Sequence, residues 1–131
     1  MTRTIRQTVL FKASPHEVYE ALMDSAKHLE FTGEKASISR KVGGRIAAYA
    51  GEITGSNLEL VPDYKIVQNW RCTATGWPED HYSKLTITLE PHLNGTHLVL
   101  NHEEVPDAAY EECSQGWQGA YWAKMKATFG W

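Results

Sequence analysis

The sequence predicts an α+β domain in which a curved antiparallel sheet of about six to seven strands wraps around one long C-terminal helix. The last stretch, residues 105–131, has helical periodicity and carries Trp117, Trp122 and Trp131. The segments before it alternate like short strands, apart from two short helices directly after the first strand. A length of 131 residues fits a single domain over residues 1–131.

The chain begins with a strand followed by the two short helices. Apolar and polar residues alternate over 4–11, which is typical of a strand with one buried face. Ser14-Pro15-His16-Glu17 is a capping box with proline at the first helical position, so it predicts a helix start. A second helix is predicted over 25–31, with Asp24 as its N-cap and Gly33 as its stop. We expect the two helices to close one end of the sheet.

Six further strands are predicted to follow as a meander. They lie near residues 36–39, 44–50, 53–59, 65–72, 82–90 and 96–103. Asn94-Gly95 predicts a type I′ turn between the last two strands. In the 65–72 strand, Trp70 shares a face with Ile66 and Cys72, so its ring should point inward.

The C-terminal segment predicts one capped helix, with Asp107 as N-cap and Gly130 as a left-handed C-cap. At about 100° per residue, one face of this helix is bulky. Its members are Tyr110, Cys113, Trp117, Tyr121 and Thr128, with Met125 at its edge and with Trp122 and Phe129 flanking it in the second half. A second face is small and would admit a close backbone; it holds Ala109, Gly116, Ala120, Ala123 and Ala127. We therefore expect Trp117 and Trp70 to face a shared interior.

Charge and composition exclude two classes of partner. The net charge is −3 and the pI is about 6.0, with lysines and arginines scattered along the chain, so neither nucleic acid nor an anionic membrane is an expected partner. No signal-like start and no apolar run of about 20 residues is present, which predicts a cytoplasmic location. Cys72 and Cys113 are far apart and form no C-x-x-C pair, which favours buried thiols.

Residues that could perform catalysis are few. The six histidines are dispersed without the spacing of a metal site, and Gly43-Gly44 lacks the context of a phosphate-binding loop. His102 beside Glu103 and Glu104 could form a buried acid–base pair, but an exposed, charged strand end is the favoured interpretation. We therefore expect no enzymatic activity, no cofactor and no metal.

An aromatic set could line the space between the sheet and the C-terminal helix. Together with one leucine, these residues are Tyr49, Trp70, Tyr82, Leu100, Trp117 and Tyr121. A mostly apolar pocket of this kind would suit a small apolar ligand. The alternative, which we favour from the sequence, is a filled core in which the rings touch one another.

The predicted loop over 74–80 contains a candidate partner-binding edge. An exposed Trp77 beside Glu79 and Asp80 could anchor the loop on a basic protein surface. The alternative is ordinary packing of the loop.

Several short motifs resemble a known superfamily. Four segments resemble the START-like helix-grip superfamily. They are Ser14–Tyr19, Leu60-Val61-Pro62 followed by Ile66 and Trp70, Gly95-Thr96, and Gly116-Trp117. Four segments resemble, more narrowly, the C-terminal domain of the activator of heat shock protein 90 ATPase. They are Trp70-Arg71, Trp77-Pro78-Glu79, Gln115–Gln118 and Lys126–Gly130. The resemblance covers about residues 5–131.

This resemblance implies a function. It implies a cytoplasmic co-chaperone-type domain that binds the heat shock protein 90 chaperone and stimulates its ATPase. Two-domain activators also have an N-terminal anchoring domain, to which no segment of the 131 residues corresponds. The alternative function is binding of a small apolar ligand in the cavity between the sheet and the C-terminal helix.

Overall fold

A computed structural model describes residues 1–73 and 76–131 and confirms the predicted order of strand, two helices, six strands and terminal helix. The strands are β1 (Thr2–Phe11), β2 (Ser37–Ile38), β3 (Arg45–Ala48), β4 (Ile53–Val61), β5 (Lys65–Cys72), β6 (Ser83–His92) and β7 (Gly95–Pro106). They form one antiparallel sheet in the order β1-β7-β6-β5-β4-β3-β2. The first two residues of the predicted 74–80 loop lie outside the described residues.

Helices α1 (Pro15–Met23) and α2 (Ser25–Thr32) begin and end where their capping residues predict. The Glu17 amide donates to Ser14 Oγ at 3.1 Å, and the Ser14 amide donates to Glu17 Oε1 at 3.2 Å, which completes the capping box. Asp24 accepts from the Lys27 amide at 3.0 Å, and Gly33 ends α2 with φ of +76°. Hydrogen bonds and backbone conformations of neighbouring residues therefore determine where α1 begins and where α2 begins and ends.

The β6–β7 turn differs from the prediction by one residue. His92 pairs with Gly95, so the turn lies on Leu93 and Asn94, and Leu93 adopts φ of +50°. A Cβ on Gly95 would lie 2.0 Å from the carbonyl oxygen of Phe11. The glycine is needed because β1 approaches closely, and it does not serve as a turn residue.

A bulge near the end of β7 changes which residues face the interior. The pairing of β1 with β7 shifts between Arg3 and Ile5, and Glu104 has φ of +62°. His102 and Val105 are consequently both buried, although they are three residues apart. The strand continues to Pro106, and Asp107 makes no side-chain cap at the helix start, so the prediction of Asp107 as N-cap is wrong.

The C-terminal helix runs over residues 107–129 and contains a wide turn at its middle. A 3₁₀ start (Asp107–Ala109) leads into an α-helical part (Tyr110–Gly116), a π-helical part (Trp117–Trp122) and a second α-helical part (Ala123–Phe129). Gly130 ends it with φ of +77°, as predicted.

The π-helical part alters the face that the second half of the C-terminal helix presents to the core. More residues per turn rotate the following side chains backwards relative to a continuous α-helix. Tyr121, Trp122 and Met125 are therefore buried, whereas Thr128 is exposed, so the predicted bulky face is wrong at Thr128. Uniform periodicity could not anticipate this shift.

Candidate functional site

A cavity of about 250 Å³ lies between the C-terminal helix and the β4–β5 side of the sheet. Trp70 from β5 and Trp117 from the helix stack directly on each other in the cavity wall, with ring centroids 4.8 Å apart and planes 21° apart. The remaining walls combine aromatic, small and acidic side chains, namely Tyr49, Glu52, Ile53, Cys72, Trp77, Ala109, Glu112, Cys113, Gly116, Ala120 and Tyr121. The cavity is mostly apolar and is open at one side.

Trp70 is held in place by a chain of side-chain amides. Its Nε1 donates to Gln68 Oε1 at 3.0 Å, and Gln68 Nε2 donates to Asn57 Oδ1 at 2.9 Å. Asn57 Nδ2 in turn donates to the carbonyl oxygens of Ser39 and Lys41. Because these groups are buried and paired, the indole cannot turn without breaking hydrogen bonds.

Trp117 is held by a buried histidine. Its Nε1 donates to His102 Nδ1 at 3.0 Å, which leaves the other ring nitrogen of a neutral imidazole to carry the proton. His102 Nε2 lies 2.6 Å from Ser83 Oγ, and Ser83 Oγ donates to the Trp70 carbonyl oxygen at 3.2 Å. The chain from Trp117 through His102 and Ser83 therefore ends on the strand that carries Trp70.

This polar network is neutral. Burial lowers the pKa of His102 to about 3, and burial raises the pKa of Cys113 to about 12. Cys113 Sγ lies 3.7 Å from His102 Nδ1, but that nitrogen already accepts from Trp117. A thiol with a raised pKa beside an imidazole with a lowered pKa is not an activated nucleophile. The geometry is that of a hydrogen-bond network that holds Trp70 and Trp117 in position.

The far wall is formed by Tyr121 and Tyr49, and His28 lies behind Tyr121, outside the lining. The Tyr49 hydroxyl donates to the carbonyl oxygen of Ala120 at 2.7 Å, and Tyr121 Oη lies 3.0 Å from His28 Nε2. Burial raises the pKa of Tyr49 to about 12 and lowers the pKa of His28 to about 4. His28 Nδ1 makes no hydrogen bond to any described residue.

The structure brings together four of the six residues predicted to line a ligand cavity, namely Tyr49, Trp70, Trp117 and Tyr121. Leu100 is fully buried in the core and does not contact the cavity. Tyr82 is 46% exposed and lies on the outer face of the sheet, because Ser83, its neighbour in the strand, points inward to His102. The prediction is therefore wrong for Leu100 and Tyr82.

The interpretation of Trp77 as an exposed anchor is wrong, and its burial agrees with the alternative of ordinary packing. Trp77 is 8% exposed, lines the cavity, and donates from Nε1 to the His81 carbonyl oxygen at 2.9 Å. The indole is buried because the preceding Gly76 lies directly against Ala108 at the start of the C-terminal helix. Glu79 and Asp80 are exposed, as predicted.

Two kinds of residue at this site were not predicted from the sequence. His102 is buried, whereas an exposed strand end was favoured; the alternation of Leu98 and Leu100 would have placed it inward. Glu52 and Glu112 line the cavity, and no local pattern marks either of them.

Among the residues described, no three histidine, cysteine or acidic side chains are grouped so as to hold a metal ion. Within the same residues, no helix has the length and apolar character needed to cross a membrane.

A seven-stranded antiparallel sheet curved around a terminal helix, with two short helices after the first strand, defines an α+β protein of the START-like helix-grip class. The family model described as "Activator of Hsp90 ATPase homolog 1-like protein" matches residues 12–130. The chain therefore belongs to this family.

Individual relatives agree with the family. The chain is 32% identical over 127 residues to the human "Activator of 90 kDa heat shock protein ATPase homolog 1", covering 97% of this chain and 36% of the relative. It is 29% identical to the homologue from Dictyostelium discoideum, covering 98% of this chain and 33% of the relative. The chain thus spans about a third of the length of these relatives.

Solved structures share the fold. An HSP90 activator from Plasmodium falciparum superposes with a TM-score of 0.90 at 25% identity, covering 97% of this chain and 96% of that chain. The Aha1 dimer from Colwellia psychrerythraea superposes with a TM-score of 0.78 at 20% identity, covering 96% of each chain. The second likeness concerns the fold alone.

Proposed function

We propose that this domain is a co-chaperone module that binds the heat shock protein 90 chaperone and stimulates its ATPase from a cytoplasmic location. The observation that supports this proposal is the match of the activator family over residues 12–130, nearly the whole chain. The high structural similarity to a Plasmodium protein described as an HSP90 activator is consistent with it. Burial raises the pKa of Cys113, which lines the cavity, to about 12, and this does not favour a nucleophilic thiolate there.

The proposed stimulation of the ATPase follows from thermodynamic linkage between binding of this domain and the conformation of the chaperone. A binder can shift a conformational equilibrium only through different affinities for the two states. The domain should therefore bind the closed, nucleotide-loaded chaperone more tightly than the open one. Equal affinity for the two states would remove this mechanism.

The test is a titration of the purified domain into heat shock protein 90 while ATP turnover is followed. We expect turnover to rise and saturate, and we expect tighter binding when a non-hydrolysable ATP analogue is present. No binding and no change in turnover would reject the proposal.

We propose the loop that contains Glu79 and Asp80 as one contact with the chaperone. Both side chains are exposed, and the loop is anchored beneath them by buried Trp77. Glu79→Gln/Asp80→Asn removes the two charges, and asparagine tolerates the φ of +60° at position 80. We expect weaker binding to the chaperone, with exposed Glu30→Gln/Glu90→Gln as a matched control. Equal binding by both double variants would exclude this loop.

The cavity supports a second candidate function, which is binding of a small apolar molecule. Its volume of about 250 Å³ is slightly below the range of typical small-molecule sites, which starts at about 300 Å³. Gly116 lines it, and a Cβ there would meet nothing within 4 Å, so Gly116→Leu should fill the cavity without strain. Gly119 has equally free space but lies outside the cavity lining, which makes Gly119→Leu the matched control.

The assay for this second function uses the neutral fluorescent probe N-phenyl-1-naphthylamine. We expect the wild type and the Gly119→Leu variant to bind it and the Gly116→Leu variant to lose most of this binding. Both substitutions replace a helical glycine, so neither should destabilise the fold. Equal binding by all three proteins would place the probe elsewhere and reject the cavity as a ligand site.

A further inference from the structure

The cavity combines many aromatic rings with negative charge. Three tryptophans and two tyrosines line it, together with the acidic residues Glu52 and Glu112. No lysine, arginine or histidine is among its lining residues in the described part of the chain. A ligand in this cavity would therefore meet π-electron faces and two anions.

The two acidic residues of the lining come from different elements of the fold. Glu52 follows the turn at Tyr49 and directly precedes β4. Its amide donates to the Tyr49 carbonyl oxygen at 3.1 Å, and its carbonyl oxygen accepts from the Thr73 amide at 2.9 Å. Glu112 lies in the first turn of the α-helical part of the C-terminal helix. Both side chains are exposed, so they stand at the opening and not in the floor. Within the described residues, neither takes part in a salt bridge.

The charge nearest the cavity favours cations over anions. The N-terminal end of a helix carries about half a positive charge, which alone would attract an anion. Here Asp107, Glu111 and Glu112 lie in the first turns of the helix and outweigh that partial charge. The faces of tryptophan and tyrosine rings attract cations through their quadrupole, and they do so more strongly when the cation is partly desolvated.

We propose that the cavity binds a small organic cation, namely a quaternary ammonium or alkylated amine with an apolar substituent. The apolar substituent packs among the apolar and aromatic side chains of the lining, and the cationic group lies at the opening near Glu52 and Glu112. This inference rests on the second candidate function, since it names the chemical class of the ligand. It does not depend on chaperone binding.

The experiment compares three probes of similar shape and different charge. These are benzyltrimethylammonium, its neutral carbon isostere neopentylbenzene, and the anion phenylacetate. Binding is followed by tryptophan fluorescence, because Trp70, Trp77 and Trp117 line the cavity. We expect the cation to bind about tenfold more tightly than the neutral isostere and the anion to bind most weakly of the three.

Variants that each remove one negative charge test whether the cation binds beside Glu52 and Glu112. Glu52→Gln and Glu112→Gln should each lower the affinity for the cation several-fold and leave the affinity for the neutral isostere unchanged. Both residues are exposed, so the fold should tolerate either change. Glu111→Gln is the matched control, because Glu111 lies in the same helical turn and does not line the cavity.

The outcomes separate this inference from the functions proposed above. Equal affinity for the cation and the neutral isostere, or cation binding that is unchanged in both cavity variants, overturns the inference and leaves apolar ligand binding intact. Failure of every probe to bind overturns both the inference and the ligand-binding function. Stimulation of the chaperone ATPase is a separate measurement and decides neither.

Discussion

The two buried histidines should make the stability of the domain depend strongly on pH. His28 and His102 are 2% and 0% exposed, and burial lowers their pKa values to about 4 and about 3. In the unfolded chain each pKa returns to about 6.5, so at pH 5 the unfolded state binds protons that the folded state does not. Stability from these two groups is therefore complete above pH 6.5 and is lost as the pH falls toward about 4 and about 3.

The magnitude follows from proton linkage. One pH unit changes the free energy of unfolding by about 1.4 kcal/mol for each proton taken up on unfolding. Between pH 8 and pH 5, each histidine contributes a loss of about 2 kcal/mol, so the pair contributes about 4 kcal/mol. Within a total stability of about 5–15 kcal/mol this is a large fraction.

Urea unfolding at pH 8 and pH 5, followed by tryptophan fluorescence, measures this loss. His28→Gln and His102→Gln each remove one titrating group, so each variant should lose about 2 kcal/mol less than the wild type between these pH values. His92→Gln, at an exposed position, is the control for removing an imidazole without removing buried contacts. If the pH-dependent loss is the same in both buried-site variants and in the wild type, the reasoning is refuted.

Three further substitutions test a buried hydrogen bond, a stacked ring and a helix cap. Trp117→Phe keeps a ring but leaves His102 Nδ1 without its donor, so urea unfolding should show a loss of about 1–3 kcal/mol; a loss below about 0.5 kcal/mol would contradict this role. Trp70→Ala removes a buried, stacked ring and should lower the free energy of unfolding by about 3–5 kcal/mol, and near-neutrality would mean that the ring is not packed. Ser14→Ala removes the α1 cap and should lower thermal stability by about 0.5–2 kcal/mol, whereas an unchanged melting temperature would show that the cap is dispensable.

Elements whose signals are local could be predicted from the sequence. The capping box at Ser14, the Asp24 cap and the left-handed glycines at 33 and 130 depend on neighbouring residues, and each is confirmed. The meander from β2 to β7 also followed, because short connections between alternating segments favour antiparallel neighbours. The pairing of β1 with β7 was not predicted, because it joins strands far apart in the chain.

The errors arose where distant parts of the chain meet. Gly95 is required by the carbonyl oxygen of Phe11, far away in sequence, so the local Asn-Gly pattern suggested the wrong turn position. The burial of Trp77 depends on the start of the C-terminal helix, which no loop pattern reveals.

The candidate site was predicted only in part. The inward direction of Trp70 and Trp117 followed from periodicity, and their stacking confirms the shared interior. Strict strand alternation would also have placed His102 inward and Tyr82 outward, so those two errors came from ranking residue type above position. The contribution of Glu52 and Glu112 needed the three-dimensional arrangement, because the two residues come from different elements.

The wide turn at Trp117–Trp122 has a consequence for deletions in the helix. It accommodates Tyr121 and Trp122 so that these sequence neighbours serve two different contacts: Tyr121 approaches His28 on α2, and Trp122 donates to Gln7 on β1. Removing one residue at Gly119, which is exposed and contacts nothing through a side chain, would allow the segment to close into ordinary α-helix. The wide turn already rotates the following side chains backwards by about the angle that one residue fewer gives in an α-helix, so Tyr121 and Trp122 would keep their two neighbours. A single-residue deletion at Gly119 should therefore be far less damaging than a single-residue deletion elsewhere in the C-terminal helix.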